Sequence, residues 1–319
     1  MLFFRPMRKG GTTRRQMLKG IPAAALIGCE SRAPETRGVG RVTRDVVAVI
    51  DAQPTVDGAG VKLRRSLGSS ALPLLDPFLL LDEFHSSREE DYIAGFPSHP
   101  HRGFETVTYV LAGAVEHRDS LGNHGHLGSG SVQWMTAGHG IVHSEMPRGD
   151  GGSLWGFQLW VNLPRALKMT RPRYQDLAPA SVVELAADGA KVRVIAGEAF
   201  GHSGPVDGIA TAPHMLDVAL STNGRFEHSV PGGHNVFAYV FDGAALVGRS
   251  RTRVARGQLA VFGPGASIAV SSDENARMLL LAGAPLGEPI ARRGPFVMNT
   301  EDEIQQAIED YRSGRLVGG

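Results

Sequence analysis

Short apolar runs recur along the chain between turn-forming residues, and they predict β-strands. The clearest runs cover residues 46–50, 107–111, 159–161, 192–195, 236–241, 259–262 and 278–281. None is longer than six residues, which is typical of strands and too short for an ordinary helix. Glycine and proline, with 41 and 19 residues, are frequent enough to supply the turns between them. The pattern therefore predicts an all-β protein.

The end of the chain departs from this pattern and predicts one α-helix. Thr300 and Glu303 have the spacing of a capping box, in which each side chain bonds to the other residue's backbone N–H group. The residues that follow place apolar side chains at helical spacing: Ile304, Ala307, Ile308 and Tyr311. We expect this stripe to pack on a barrel wall.

Two stretches divide the chain. Residues 30–41 contain almost no apolar side chains and are predicted to form a tether. The stretch 163–179 contains several prolines and no alternation of apolar and polar residues, and it is predicted to separate two β units. A chain of 319 residues with 42% hydrophobic content is long enough for two compact units. The predicted organisation is an export signal at 1–28, a tether at 29–41, barrels at 42–171 and 172–299, and a helix with its tail at 300–319.

The basic residues concentrate at the N-terminus, where they indicate export. Arg14 and Arg15 precede an apolar run at 21–28 that is too short to span a bilayer, as in a twin-arginine signal. The run ends in Leu26-Ile27-Gly28-Cys29, which resembles the lipobox of bacterial lipoproteins. We therefore predict an exported protein, periplasmic or anchored to the membrane through lipidated Cys29. The alternative is a cytoplasmic protein with a basic, unstructured N-terminus.

Net charge and cysteine content exclude several classes of function. A formal net charge of +1 provides no electrostatic footprint for nucleic acid. Cys29 is the only cysteine, so an intrachain disulfide is impossible, and so is the cysteine-ligated zinc site of deaminases that share the His-x-Glu pattern.

Two pairs of metal-binding side chains carry the candidate chemistry. His99 and His101 are two residues apart, and in an extended chain such residues point to the same side. Pro100 holds the preceding residue in an extended conformation. His143 and Glu145 repeat the spacing about forty residues later, far enough for strands to bring the pairs face to face. We predict that these four residues bind one metal ion.

The donor set selects the kind of metal. Three imidazoles and one carboxylate suit iron(II), manganese, nickel, copper or zinc better than calcium or magnesium. Four ligands leave open positions on an octahedral metal but saturate a tetrahedral zinc ion, so a closed structural zinc site also remains possible. Glu105 is separated from His99 and His101 by an even number of positions, so in an extended chain it would point to the same side as they do.

The other histidines are assigned lesser roles. His124 and His126 also form an H-x-H pattern, but glycines flank them and we expect a solvated turn. His139 lies between two glycines and is a candidate either for supporting the metal ligands or for lining the pocket. In the second unit four histidines lack a partner two residues away, and this barrel is expected to be metal-free: His202, His214, His228 and His234.

Four segments resemble the pirin family of the cupin superfamily. They are GFPSHPHRGFETVTYVL at 95–111, QWMTAGHGIVHSEMP at 133–147, QLWVNLP at 158–164, and the tail 294–311. The resemblance covers essentially everything after the signal region. It implies two stacked cupin (jelly-roll) β-barrels with a short C-terminal α-helix, and it places the family's iron ligands on His99, His101, His143 and Glu145. His139 stands where the family usually has arginine.

The resemblance also implies an activity. Some pirins are similar to quercetin 2,3-dioxygenases, in which O2 opens the ring of a flavonol, so the expected partners are an aromatic or flavonol-like molecule and O2. Glu145 or Glu105 is the candidate base, and Glu105 is expected to orient a ligand imidazole by accepting its distal N–H. An apolar wall could come from Phe104, Trp134, Met135 and Phe157, although core packing is the commoner role of such residues. A monomer is expected. The alternative function is a non-enzymatic iron-binding redox sensor or interaction protein.

Overall fold

The computed structural model describes residues 42–148 and 152–317 of the chain. The predicted signal and the whole predicted tether, including Arg14, Arg15 and Cys29, lie outside these ranges. In chain order the strands are β1 (Val46–Asp51), β2 (Gln53–Asp57), β3 (Val61–Leu67), β4 (Phe78–Ser86), β5 (Phe96–His101), β6 (Phe104–Ala112), β7 (Val115–Asp119), β8 (His124–Leu127), β9 (Val132–Thr136), β10 (Ile141–Pro147), β11 (Leu154–Asn162), β12 (Arg173–Leu177), β13 (Val183–Ala187), β14 (Ala190–Ala196), β15 (Glu198–Ala199), β16 (His202–Ser203), β17 (His214–Leu220), β18 (Arg225–Ser229), β19 (Asn235–Val247), β20 (Thr252–Ala255), β21 (Gln258–Phe262), β22 (Ser267–Ser271), β23 (Ala276–Gly283), β24 (Ala291–Arg293) and β25 (Phe296–Met298). Helix α1 (Glu301–Arg312) follows them.

The strands form two barrels. The first consists of a seven-stranded sheet, in the order β12-β9-β6-β11-β4-β3-β2, and a four-stranded sheet, in the order β5-β10-β7-β8. The second is built on a ten-stranded sheet whose main path is β1-β21-β19-β23-β17-β14-β13. All seven apolar runs lie within strands. The predicted fold of two stacked barrels with a C-terminal helix is thus confirmed.

The barrels exchange their outer strands. β1, near the N-terminus, pairs with β21 of the second barrel, and β12, which follows residue 171, pairs with β9 of the first. The proline-rich stretch forms two 3-10 turns, Arg165–Leu167 and Pro179–Ser181, and β12 lies between them. Strand pairing therefore crosses the boundary predicted at 171/172, because the prolines flank a strand that belongs to the preceding barrel. As a domain boundary, that position stays a prediction.

The largest hydrophobic cluster lies where the two large sheets face each other. It includes Val107 and Phe157 from the first barrel and Phe237 and Tyr239 from the second, all fully buried. Burial of each such side chain contributes roughly 1.5–3 kcal/mol. Because residues alternate along a strand, the neighbours of these residues face the interior of their own barrel. This alternation leaves the inner face of the first barrel available for polar side chains.

The C-terminal segment packs against the first barrel. Thr300 caps α1 with both hydrogen bonds of the capping box, as predicted. The buried face of the helix, at Ile304 and Ala307, packs in one cluster with the β24–β25 hairpin, and Val142 of the barrel strand β10 packs against the same cluster. The carboxylate of Asp310 accepts a hydrogen bond from Arg102 at 2.7 Å, which ties the helix to the end of β5. Within the described ranges, no helix has the length and apolar character that crossing a membrane requires.

Candidate metal centre

Three imidazoles meet inside the first barrel. Nε2 of His99 lies 3.0 Å from Nε2 of His101 and 3.0 Å from Nε2 of His143. His101 and His143 are almost completely buried, whereas His99 is half-buried at the edge of the cluster. The structure thus brings together three of the four predicted ligands.

Strand pairing produces this convergence. β5 and β10 are antiparallel neighbours, with His143 opposite His99 and Ile141 opposite His101. Along β10 the residues alternate between buried and half-buried, so His143 and Glu145 face inwards together. The two-residue spacing of both pairs therefore has the structural meaning predicted from the sequence.

Hydrogen bonding and burial keep the imidazole rings neutral, so that each can donate a nitrogen lone pair to a metal. Nδ1 of His99 lies 2.8 Å from the carbonyl oxygen of Pro97, so a proton on Nδ1 is held there and Nε2 is left with its lone pair. Burial, reinforced by the neighbouring histidines, lowers the pKa of His101 and of His143 well below the ordinary value. Both rings are consequently neutral at physiological pH, which is the form that binds metal.

The donor set fits a divalent transition metal. Nε2 of His99 lies 3.0 Å from Nε2 of each of the other two histidines, and three such nitrogens cannot all be satisfied by hydrogen bonds among the rings. Imidazole nitrogens bind such metals at about 2.0–2.1 Å, and two ligands at right angles are then about 3 Å apart. The spacing of the cluster agrees with that geometry.

Glu145 lies in the same cavity but outside the histidine cluster. Its carboxylate accepts hydrogen bonds from Oγ1 of Thr108 at 2.6 Å and from Nε2 of Gln158 at 2.9 Å. In residues 42–148 and 152–317, the group of potential ligand atoms within 4.8 Å of one another consists of the three histidines. The role of Glu145 as the fourth ligand stays a prediction.

Glu105 does not lie where the sequence predicts. It shares its strand face with Val107 and Tyr109, which belong to the core between the barrels, and its carboxylate accepts a hydrogen bond from Thr136 at 2.7 Å. The alternation of side chains between the two faces of the strand is interrupted at Gly103, which has φ of +88°. Gly103 packs so closely on the carbonyl of Val297 that no Cβ would fit. The structure therefore does not support Glu105 as a base or as the group that orients an imidazole. The imidazole of His99 is oriented instead by the carbonyl oxygen of Pro97.

We accordingly expect Glu105→Gln to leave metal affinity unchanged, not to weaken it tenfold to a hundredfold as an orienting role would predict. Burial raises the pKa of Glu105 to about 7. This pKa exceeds that of a glutamate in the unfolded chain. The contribution of Glu105 to the stability of the protein is therefore fully present below about pH 4.3 and is lost as pH rises through about 7. The variant should therefore be more stable than the parent by on the order of 4 kcal/mol at pH 8, and similar to it at pH 4.

Urea unfolding at both pH values and metal titration of both proteins measure these effects. Glu227→Gln, at an exposed position of β18, serves as the control and should behave alike at both pH values. A loss of metal affinity in Glu105→Gln would show that Glu105 supports the metal site after all.

A fourth histidine, which sequence reasoning missed, lies beside the cluster. His117 is buried on β7 directly opposite Glu145, and its ring centre is 5.3 Å from that of His143. Neither of its ring nitrogens has a hydrogen-bond partner. Only the alternation of Val115, His117 and Asp119 along a strand next to β10 could have indicated it.

The remaining histidines lie elsewhere. His124 and His126 are exposed on β8, a short strand where a turn was predicted. His139 is half-buried, and its carbonyl oxygen accepts a hydrogen bond from Arg102; it does not line the cavity at the histidine cluster. In the second barrel His228 is buried on the same face of β18 as Phe226, and its Nε2 lies 3.0 Å from Nδ1 of His214. The expectation that this barrel is metal-free stays a prediction.

A cavity of about 550 Å³ opens onto His99 and His101. Its apolar walls come from Leu63, Leu80, Phe84, Phe96 and Trp160. None of the four residues proposed from the sequence as an apolar wall lines it. Trp134 and Phe157 pack between the barrels, Met135 belongs to a separate buried cluster, and Phe104 is fully buried behind His101 and Trp160.

Comparison with known proteins agrees with this architecture. Residues 60–161 match the pirin family and residues 215–317 match the pirin C-terminal cupin domain. A protein named "Putative quercetin 2,3-dioxygenase" from Pseudomonas aeruginosa is 48% identical over 86% of this chain and 98% of its own length. The crystal structure of a quercetin 2,3-dioxygenase from Acinetobacter baumannii, 34% identical, superposes with a TM-score of 0.79 over 86% of this chain and 99% of that one.

A nickel complex is known for a more distant neighbour. The structure of a bacterial pirin from Escherichia coli with nickel(II) is 21% identical and has a TM-score of 0.59 over 75% of this chain and 98% of that one. At this identity the likeness establishes a common fold.

Proposed function

This chain belongs to the pirin family, and from that premise we propose that it is a mononuclear metal-dependent dioxygenase of the quercetin 2,3-dioxygenase type. The observation that carries the proposal is the convergence of three imidazole nitrogens beside a cavity that is lined by His99 and His101 and is large enough for an aromatic molecule. The name of the Pseudomonas aeruginosa relative and that of the Acinetobacter baumannii structure favour the same reaction.

We propose that His99, His101, His143 and Glu145 hold the metal, with iron(II) as the first choice and manganese, nickel, copper or zinc as alternatives. When bound, such a metal would supply open positions at which an oxygen donor of the substrate and O2 can meet. The protein's own contribution is to hold the rings neutral and oriented. It also surrounds the site with apolar walls that exclude water.

Glu145 is the proposed base. Its carboxylate faces the cavity next to the histidines, and Thr108 and Gln158 hold it in place with one hydrogen bond to each oxygen. An acidic hydroxyl of a substrate that reaches the histidines comes within range of this carboxylate, which can take up the proton.

The proposal is tested by oxygen uptake with quercetin, measured on purified protein of known metal content. We expect uptake to require both quercetin and metal, and to be absent in apoprotein. A metal-loaded protein that consumes no oxygen with quercetin would contradict the enzymatic proposal. Reversible oxidation of the bound iron without turnover would then favour the alternative of a redox sensor.

We also propose that the protein is exported by a twin-arginine signal and anchored through Cys29, although both features lie outside the described residues. Twin-arginine export moves folded proteins, and a site built from β5 and β10 exists only after folding, so metal could be acquired before translocation. Exported unfolded, the barrel would meet metals outside, where copper and zinc outcompete iron(II).

Arg14→Lys combined with Arg15→Lys is therefore expected to retain a folded, metal-loaded protein in the cytoplasm. Cys29→Ala is expected to release an exported protein from the membrane fraction. Cell fractionation measures both effects, and Arg8→Lys, which lies outside the arginine pair, is the control. Export of the double variant at the parental level would exclude the twin-arginine signal, and unchanged membrane association of Cys29→Ala would exclude the lipid anchor.

A further inference from the structure

One arginine from the C-terminal hairpin reaches into the cavity of the first barrel. Arg292 lies on β24 and lines the cavity together with His99 and His101. Its guanidinium carbon is 4.7 Å from the centre of the Trp160 ring, and one of its amino groups donates a hydrogen bond to the carbonyl of Leu79 at 3.1 Å. The ring of His101 lies 5.4 Å from the same indole. A single tryptophan thus contacts both the histidine cluster and this guanidinium.

The other charged side chains of the cavity have hydrogen-bond partners. Arg65 donates two hydrogen bonds to the carboxylate of Asp82, at 2.8 and 2.7 Å, and a third to Asp57 at 2.7 Å. Thr108 and Gln158 occupy both oxygens of Glu145. Among the described residues, no carboxylate forms an ion pair with Arg292.

An unmatched guanidinium in a cavity with apolar walls is a site for an anion. Its planar fork matches a carboxylate, and the hydrogen bonds between the two are charge-assisted. The partial exclusion of water by Phe84, Phe96 and Trp160 strengthens such an interaction relative to one in open solvent. Within the part of the chain that the structure describes, Arg292 donates one hydrogen bond, to Leu79, so its other N–H groups can serve this purpose.

We propose that Arg292 binds an anionic group of the substrate, so that the substrate class is an aromatic molecule with a carboxylate or comparably acidic group at the end remote from the histidines. This inference rests on the proposed function for the end of the substrate that approaches the metal. Trp160 provides the surface along which the aromatic part lies, between the two polar ends.

A purely structural role for Arg292 predicts something different. If the guanidinium only stacks on Trp160 and bonds to Leu79, its removal changes the binding of charged and neutral ligands to the same extent. A matched pair of ligands that differ by one carboxylate separates the two roles.

The experiment measures equilibrium binding without turnover, by quenching of tryptophan fluorescence in nickel-loaded protein kept free of oxygen. The ligands are 3-hydroxyflavone and its 4′-carboxylate. We expect the carboxylate to bind the parent about tenfold more tightly, as charge-assisted hydrogen bonds allow. Arg292→Gln should abolish this preference while it leaves the binding of 3-hydroxyflavone within about twofold.

Two further variants sharpen the result. Arg293→Gln removes the next arginine of the same strand and should keep the full preference. Arg293 is exposed, as Arg292 is, but it does not line the cavity, and its Nη2 lies 3.3 Å from Oε2 of Glu301. Arg292→Lys keeps the charge without the planar fork, so part of the preference should return. Circular dichroism and thermal unfolding of each variant establish that it is folded.

Equal affinity of the parent for both flavonols, or a preference that survives in Arg292→Gln, would overturn the inference. If the preference is present but no oxygen is consumed, the anion site stands and the dioxygenase proposal fails. If neither flavonol binds, the flavonol scaffold is wrong. Benzoate and benzamide then replace the pair: a benzoate preference that depends on Arg292 supports the anion site, and equal binding excludes it.

Discussion

His101→Ala and His143→Ala are each expected to remove most of the bound metal. The Nε2 atoms of both residues face the same point, and both rings are buried, neutral and close to His99. Loss of a ligand should cost more than the roughly tenfold to hundredfold in affinity that loss of a supporting hydrogen bond costs. Metal content of the purified variants, measured by mass spectrometry after dialysis against a weak chelator, is the test.

The chain contains a matched control for this experiment. His124→Ala and His126→Ala remove the second H-x-H pair, which is exposed on β8, and should retain the parental metal content. Full occupancy in His101→Ala or His143→Ala would refute the assignment of the site. Glu145→Gln decides the fourth ligand in the same assay, since its carboxylate is tied to Thr108 and Gln158 while its predicted role requires a bond to the metal.

The sequence was informative where the decisive interactions are local. A two-residue spacing within β5 and within β10 was enough to predict that each pair shares one face, and the capping box of Thr300 and Glu303 predicted the start of α1. Both features depend only on the periodicity of a strand or on the first turn of a helix.

The sequence was less informative where strand order or a single turn decides the outcome. Glu105 keeps the parity of His99 and His101 only if the chain stays extended, and the turn at Gly103 turns it to the opposite face. His117 joins the cluster because β7 pairs with β10, a neighbour that periodicity does not reveal. Arg292 reaches the cavity from a hairpin almost two hundred residues beyond β5, which no local pattern could show.

Lys168 is a further residue of this kind. It comes from the proline-rich stretch, where a lysine would be expected to be solvated, yet it is completely buried. Its Nζ donates hydrogen bonds to the carbonyls of Gly103 and Val297, at 2.8 and 3.0 Å, and to the side-chain oxygen of Asn162 at 2.7 Å. It therefore joins the turn after β5, the end of β11 and the C-terminal hairpin at one point.

Lys168→Met is expected to destabilise the protein by about 3 kcal/mol. Methionine fills a similar volume but leaves three buried acceptors without a donor, each at a cost of about 1–3 kcal/mol that the gain in apolar burial only partly offsets. Urea unfolding at pH 7 measures the loss. Lys191→Met provides the control, because Lys191 is an exposed strand residue paired with Glu184 and its replacement should change stability by less than about 0.5 kcal/mol.

The pH dependence gives this prediction a second, independent readout. Burial lowers the pKa of Lys168 to about 8, whereas the unfolded chain has a value near 10.4. Between these values the unfolded state binds the additional proton, so this residue makes the parent more stable as pH rises from 8 towards 10. Lys168→Met lacks that contribution, and the gap between parent and variant should therefore widen over this interval. A gap that stays constant would mean that Lys168 is not desolvated in the folded protein, and equal stability at pH 7 would mean that its three hydrogen bonds do not hold the hairpin to the barrel.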